Sequence, residues 1–215
     1  MSWQYILFDL DGTLTDPEEG ITKAVAFALA RQGIDIPDRS VLRPFIGPPL
    51  RRSFMNRYGF SAEQAEQAVA DYREYFGQTG IFENKIYDGI PELLGKLKEA
   101  GKSVALATCK PHPYAKRILD HFEITPYFDL IAGSEFDGTR GEKAEVVGYA
   151  LERLAIQNLS QAVMIGDRED DMNGAKANQI YAVGVLYGYG PRKELETAGA
   201  DIVVEDVTEL AEILL

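Results

Sequence analysis

Two aspartates, one residue apart, close an apolar run in YILFDLDGTLTD, residues 5–16. Burying carboxylates beside a hydrophobic strand is costly, so Asp9 and Asp11 need a chemical reason. Other reactive residues share their position along the chain. Thr108 ends SVALAT, Asp167 ends QAVMIGD with Asp171 shortly after it, and Lys143 opens EKAEVVGYAL. In an open parallel sheet, ligands sit at the carboxyl ends of the strands. Strands lying side by side would therefore gather the carboxylates of Asp9, Asp11, Asp167 and Asp171 with one hydroxyl and one ammonium. Carboxylates packed that closely raise one another's pKa unless a cation is present. Magnesium suits the set, because it accepts a few carboxylates, keeps some waters and takes a phosphate oxygen as ligand. A nucleophilic carboxylate can also receive a phosphoryl group and become an aspartyl phosphate. Thr108, Lys143 and backbone N–H groups after Asp9, that of Gly12 among them, would then hold the phosphoryl oxygens.

The elements that must position these groups are legible as apolar runs. QYILFDL (4–10), SVALAT (103–108), FDLIAGS (128–134), QAVMIGD (161–167), YAVGVLYG (181–188) and ADIVVE (200–205) read as strands. Several are almost continuously apolar, as expected of strands covered on both faces. PELLGKLKEAG, with Pro91 near its start and Gly101 at its end, reads as a helix. AEVVGYALERL places Val146, Val147, Ala150, Leu151 and Leu154 on one helical face. Strand and helix alternate, which predicts a parallel sheet with right-handed crossovers. Between residues 17 and 86 only helical periodicity appears, through Ile21, Val25, Ala28 and Leu29, then Ala65, Val69, Tyr72 and Phe76. RPFIGPPLRRSF (43–54) lies between them as a loop or bent helix entry. The expectation is an α/β protein with a doubly wound, mostly parallel Rossmann-like sheet. Its core would comprise 1–16 and 87–215, and a helical cap domain would be inserted at 17–86.

Bulk properties narrow the classes. The 215 residues carry a formal net charge of −12 and are 46% hydrophobic, enough for a real core. Such acidity argues against a general nucleic-acid or anionic-membrane binder, since both need basic patches. Cys109 is the single cysteine, so an intrachain disulfide is impossible and a reducing, cytoplasmic setting fits. The segment MSWQYILFDLD lacks the basic and long apolar regions of a signal peptide. The expected partner is a small phosphorylated metabolite, and the expected assembly a monomer or homodimer.

Four segments in order, DLDGT (9–13), ALATCK with Thr108, Lys143, and GDREDD with Asp167 and Asp171, resemble the signatures of the haloacid dehalogenase-like hydrolases. The likeness is to phosphoglycolate phosphatase-like members with a helical cap of the first type, and GPPL (47–50) and GVLYGYG (184–190) add to it. The resemblance implies that Asp9 is the nucleophile and a metal ligand. Asp11 would be the general acid/base and offer its backbone carbonyl to the metal. Thr108 and Lys143 would bind the phosphoryl group, and Lys143 would offset the charge of Asp9. Asp167 would bind magnesium, with Asp171 a further ligand directly or through water. Phosphoglycolate is then the first candidate substrate and a nucleoside 5′-monophosphate the second.

Neighbouring residues divide between reactive and ordinary roles. Asp16 before Pro17 reads as an N-cap for the first inserted helix. Cys109 reads as a small half-buried residue beside the phosphoryl pocket, and Lys110 is open between lining that pocket and the surface. Arg51 and Arg52 are open between a solvated pair and a grip on a substrate anion. Asp170 favours a helix N-terminus, and His112 and His121 fall on a predicted helix without metal-ligand spacing. Thr13 favours hydrolysis over the related phosphomutases, which tend to carry valine there. A signalling receiver domain is shorter, lacks a helical insert and places its acids differently.

Overall fold

The computed structural model describes residues 3–215. Two compact units divide the chain: the segment through Asp16 together with Ile86–Leu215, and the insert Pro17–Lys85. Strands run β1 Tyr5–Phe8, β2 Thr15–Asp16, β3 Lys85–Ile86, β4 Ser103–Pro111, β5 Leu130–Ser134, β6 Ala162–Gly166, β7 Tyr181–Val185 and β8 Ile202–Val204. The helices are α1 Glu18–Arg31, α2 Leu50–Tyr58, α3 Ala62–Gln78, α4 Ile90–Glu99 and α5 His112–His121. They continue with α6 Lys143–Arg153, α7 Glu169–Ala177, α8 Arg192–Ala198 and α9 Val207–Leu214. No helix among the described residues is long and apolar enough to cross a membrane.

In the first unit a six-stranded sheet has the order β5-β4-β1-β6-β7-β8, with every neighbouring pair parallel. The chain starts at β1, moves outward through β4 to β5, then crosses to the other side of β1 for β6, β7 and β8. That reversal makes the carboxyl end of β1 a topological switch point, where an open α/β sheet binds ligands. Alternation along the strands sends Leu7, Ala105, Ala107 and Met164 into a core with Val146, Val147 and Ala150 of α6 and Met172 of α7. The intervening Ile6, Phe8, Val104, Leu106, Val163 and Ile165 are also fully buried. Both faces are therefore covered, which is why the strands read as continuous apolar runs.

The insert builds a core of its own. Ile21, Val25, Ala28 and Leu29 of α1 and Ala65, Val69, Tyr72 and Phe76 of α3 are buried, as their spacing predicts. Ser61 and Gln64 form a capping box that starts α3. The stretch 43–54 resolves into the end of a 3-10 helix, Arg39–Phe45, a short link and the start of α2. Phe45, Phe54 and Phe60 pack in sequence, with ring centroids 5.0 and 5.8 Å apart. Asp16 does not cap α1: Pro17 occupies the cap position without a side-chain hydrogen bond. Asp16 belongs instead to β2, and its carboxylate accepts from the Tyr189 hydroxyl.

Candidate active site

Strand register assembles the site. Phe8 pairs with Leu106 of β4 and Ile165 of β6. Asp9, Thr108 and Asp167 thus follow at nearly one level, at the carboxyl ends of three adjacent strands. The turn from Asp167 into α7 brings in Asp171, whose Oδ2 accepts from Arg168 N at 3.0 Å. Lys143, the first residue of α6, completes the group. Asp9, Asp167 and Asp171 are buried and present carboxylate oxygens within 4.8 Å of one another.

Lys143 Nζ lies 2.7 Å from Asp9 Oδ1 and 2.7 Å from Asp171 Oδ1. These are buried ion pairs, and the ammonium also donates to Ala107 O at 3.0 Å. Burial disfavours its charge, but Asp171 and Asp9 outweigh that and hold its pKa above the ordinary lysine range. Asp167 is relieved less, by the Tyr189 N–H and the charge of Arg168. Its Oδ2 accepts from Tyr189 N at 2.8 Å, while its Oδ1 is buried without a partner. Burial, then Asp171 and Asp9, push its pKa well above the carboxylate norm. Asp171 is pushed up to about 6 by burial, with Lys143 opposing and Asp9 adding.

Three buried carboxylates share one ammonium, which pairs with Asp9 and Asp171, and Asp167 Oδ1 has no hydrogen-bond partner among the described residues. An all-oxygen, net-negative donor set of this kind fits a hard divalent cation such as magnesium, supplied by Asp9, Asp167 and Asp171.

Asp11 stands apart from that trio. Its carboxylate pairs with Lys110 Nζ at 2.6 Å, both side chains being buried. Burial raises the Asp11 pKa, against the attraction of Lys110. Lys110 is thus a buried partner of Asp11 rather than a surface lysine. Strand β4 continues past Thr108, with a register shift between Thr108 and Pro111. Within that irregular stretch Thr108 Oγ1 accepts from Lys110 N at 3.3 Å, and Ser134 Oγ donates to Cys109 O. Burial pushes the Cys109 thiol up to about 12, so it stays protonated and is a poor nucleophile.

Gly12 differs from expectation. Its N–H donates to Thr15 O at 2.7 Å and is committed to that turn rather than to a ligand. What glycine provides is space: a Cβ there would lie 2.2 Å from Asp167 Oδ2, and its φ is +85°. Arg51 lies on α2 in the helical unit and pairs with Glu66 at 2.7 Å, both side chains largely exposed. The sequence reading assigned no role to Tyr187 and Tyr189. Their only signal was GVLYGYG, whose alternating glycines and tyrosines do not reveal which carboxylate the loop meets.

The family described as haloacid dehalogenase-like hydrolase matches residues 6–185. A 5′-nucleotidase of Pseudomonas aeruginosa is 48% identical, over 97% of this chain and 94% of that protein. The tyrosine-protein kinase PtkA of Mycobacterium tuberculosis is 38% identical, over 98% of this chain and 72% of its own. A crystal structure of a predicted phosphatase from Clostridium acetobutylicum superposes with a TM-score of 0.96 at 48% identity, covering 99% of this chain and 98% of that one. More distant relatives include proteins named phosphoglycolate phosphatase.

Proposed function

The chain belongs to the haloacid dehalogenase-like hydrolases and is an enzyme of the phosphatase kind, and from there we propose that it hydrolyses small phosphomonoesters with magnesium, through a phosphorylated Asp9. The observation that carries this reading is the convergence of Asp9, Asp167 and Asp171 around Lys143 at the switch point of the sheet.

In the first half-reaction an Asp9 carboxylate oxygen attacks phosphorus. The P–O bond to the alcohol breaks, and Asp11 gives the departing oxygen its proton. In the second, Asp11 takes a proton from water, the water oxygen attacks phosphorus, and the bond to Asp9 breaks. Inorganic phosphate leaves and Asp9 is restored. Burial favours a protonated Asp11 before the first step, and Lys110 beside it favours the anion needed for the second. Lys143 restrains the charge of Asp9 and, with Thr108, offers donors to the phosphoryl oxygens. Magnesium bound by the three acids would supply the positive charge that a transferring phosphoryl group requires.

For the substrate, similarity to the P. aeruginosa 5′-nucleotidase supports a nucleoside 5′-monophosphate. Phosphoglycolate is the second reading, favoured by GPPL and GVLYGYG. The test is kcat/KM over nucleoside 5′-monophosphates, phosphoglycolate and an aryl phosphate, with phosphate release measured in magnesium and in chelator. Nucleotides should lead the panel. A leading phosphoglycolate would select the second reading, and undiminished turnover in chelator would remove the metal from the proposal. Transfer to a protein acceptor without phosphate release would end the hydrolytic assignment.

A further inference from the structure

The loop after β7, Leu186–Gly190, meets the acidic group through its backbone: Tyr189 N donates to Asp167 Oδ2 at 2.8 Å. The same loop is tied down by its two tyrosine hydroxyls. Tyr187 OH donates to Thr13 O at 3.1 Å, and Tyr189 OH donates to the carboxylate of Asp16. Both anchors lie in one short stretch, between the Asp9–Asp11 turn and Pro17, where the helical insert begins. Tyr87, close to where the chain returns to the core, packs edge-on against Tyr187 with centroids 5.0 Å apart. The backbone between the tyrosines runs against Asp167 itself. A Cβ at Gly188 would lie 2.3 Å from Gly12 O and 2.4 Å from Asp167 Cβ, and one at Gly190 1.9 Å from Asp167 O.

We propose that Tyr187 and Tyr189 are positioning residues for the cation site: their hydroxyls, fixed on Thr13 and Asp16, hold the loop so that the Tyr189 N–H pins Asp167 Oδ2 and leaves Oδ1 for the cation. This deepens the proposed function and rests on Asp167 being a cation ligand. The chemistry favours the arrangement. A carboxylate held by one fixed N–H keeps a single orientation, and outer partners of that kind typically tune metal affinity by about 10–100-fold. Burial keeps the Tyr187 hydroxyl protonated, with Asp167 adding to the effect, so it remains a donor throughout the working pH range. Asp16 finds its role here. It is the acceptor that fixes Tyr189, and through Tyr189 it is linked to Asp167 at the end of β6.

The experiment is isothermal titration of Mg2+ alone into the full chain, for the wild type, Tyr187→Phe, Tyr189→Phe, Asp16→Ala and the double variant Tyr189→Phe with Asp16→Ala. Thermal unfolding in chelator is recorded beside each. Each single variant should weaken Mg2+ binding by about tenfold. Asp16→Ala should add little once the Tyr189 hydroxyl is gone, because both changes cut one link. A fall in melting temperature with unchanged Mg2+ affinity would mean a merely structural role and overturn the inference. So would effects of Asp16→Ala and Tyr189→Phe that multiply independently. Asp167→Asn, titrated in parallel, separates the two levels. Should it bind Mg2+ like the wild type, the ligand reading fails and the inference falls with it. Should it lose binding while the tyrosine variants keep theirs, the inference alone is refuted. A variant that does not fold is replaced by hydrogen exchange on the wild type. Mg2+ should then slow exchange of the Tyr189 amide, and an unchanged rate would overturn the inference.

Discussion

Replacing Lys143 by methionine tests the electrostatics of the site most severely. Methionine keeps an unbranched apolar stem and removes only the ammonium. In the wild type that ammonium sits 2.7 Å from both Asp9 and Asp171, among carboxylates that are all buried. Its loss leaves Asp9 and Asp171 without the ammonium that pairs with both. Breaking a buried ion pair from one side costs about 3–5 kcal/mol, and the cation-free protein should lose that order of stability at pH 8. For a chain of this size each kcal/mol is about 2–4 °C in melting temperature. The loss should shrink in acid. Asp167 and Asp171 already have raised pKa values, Asp171 at about 6, and without Lys143 that of Asp171 rises further. A carboxyl whose folded pKa is raised loses stability as pH climbs from its unfolded pKa, about 4, to the raised value, and the loss is complete above it. Wild type and variant share that loss up to about pH 6, where Asp171 ionises in the wild type, and they diverge above it as the variant's higher pKa is approached. Calorimetric scans in chelator should therefore show a large melting-point gap between Lys143→Met and wild type at pH 8 and a much smaller one at pH 5. Saturating Mg2+ should narrow the gap at pH 8, since binding to the native state alone stabilises it. A gap equal at both pH values would refute the picture of Lys143 as counter-ion to buried, ionised carboxylates.

Gly188→Ala should lower stability by about 1–3 kcal/mol and weaken Mg2+ binding, because its Cβ would collide with Asp167; a variant matching wild type in both scans and titration would contradict the close approach. Gly95→Ala on α4, where a Cβ meets only Tyr127 at 3.9 Å, should instead gain up to about 1 kcal/mol in the same scans. Cys109, with its thiol raised to about 12, should react with iodoacetamide at pH 7.5 far more slowly than free cysteine, and rapid labelling of the native protein would show the thiol is not shielded. Arg51→Ala should change stability by less than about 1 kcal/mol, as expected of an exposed pair. Its KM for a nucleoside 5′-monophosphate decides the other question, because an unchanged value removes Arg51 from substrate binding.

Much of the core was legible before any coordinates. Strands buried on both faces leave continuous apolar runs, so β1, β4 and β6 could be found, and with them the ends that carry Asp9, Thr108 and Asp167. Lys143 and Asp171 were legible because each lies at a helix start directly after a strand or loop. What stayed hidden depends on contacts across the fold. Nothing local shows that Lys110 would turn to Asp11, 99 residues away. The Gly12 N–H looked free because the turn that consumes it closes on Thr15, and turn geometry is not visible in composition. Asp16 looked like a helix cap from its neighbours Pro17 and Glu18. Its hydroxyl partner, Tyr189, lies 173 residues away and draws it into an extended strand instead. In the insert, α1 and α3 showed their helical period, whereas Pro44, Pro48 and Pro49 masked the 3-10 helix and the start of α2.

The central claim is that Asp9 is the residue that carries the phosphoryl group. Its most direct test is rapid mixing with excess substrate and Mg2+, quenching with borohydride in the steady state, and mapping the modified residue by peptide mass spectrometry. Borohydride reduces an aspartyl phosphate to homoserine. The account predicts homoserine at position 9, dependent on both substrate and Mg2+, and, with an activated aryl phosphate whose leaving group needs no proton, accumulating further in Asp11→Asn, where water attack is slowed. Homoserine at position 11 or 167, or steady turnover with Asp9 unmodified in wild type and in Asp11→Asn alike, would contradict it.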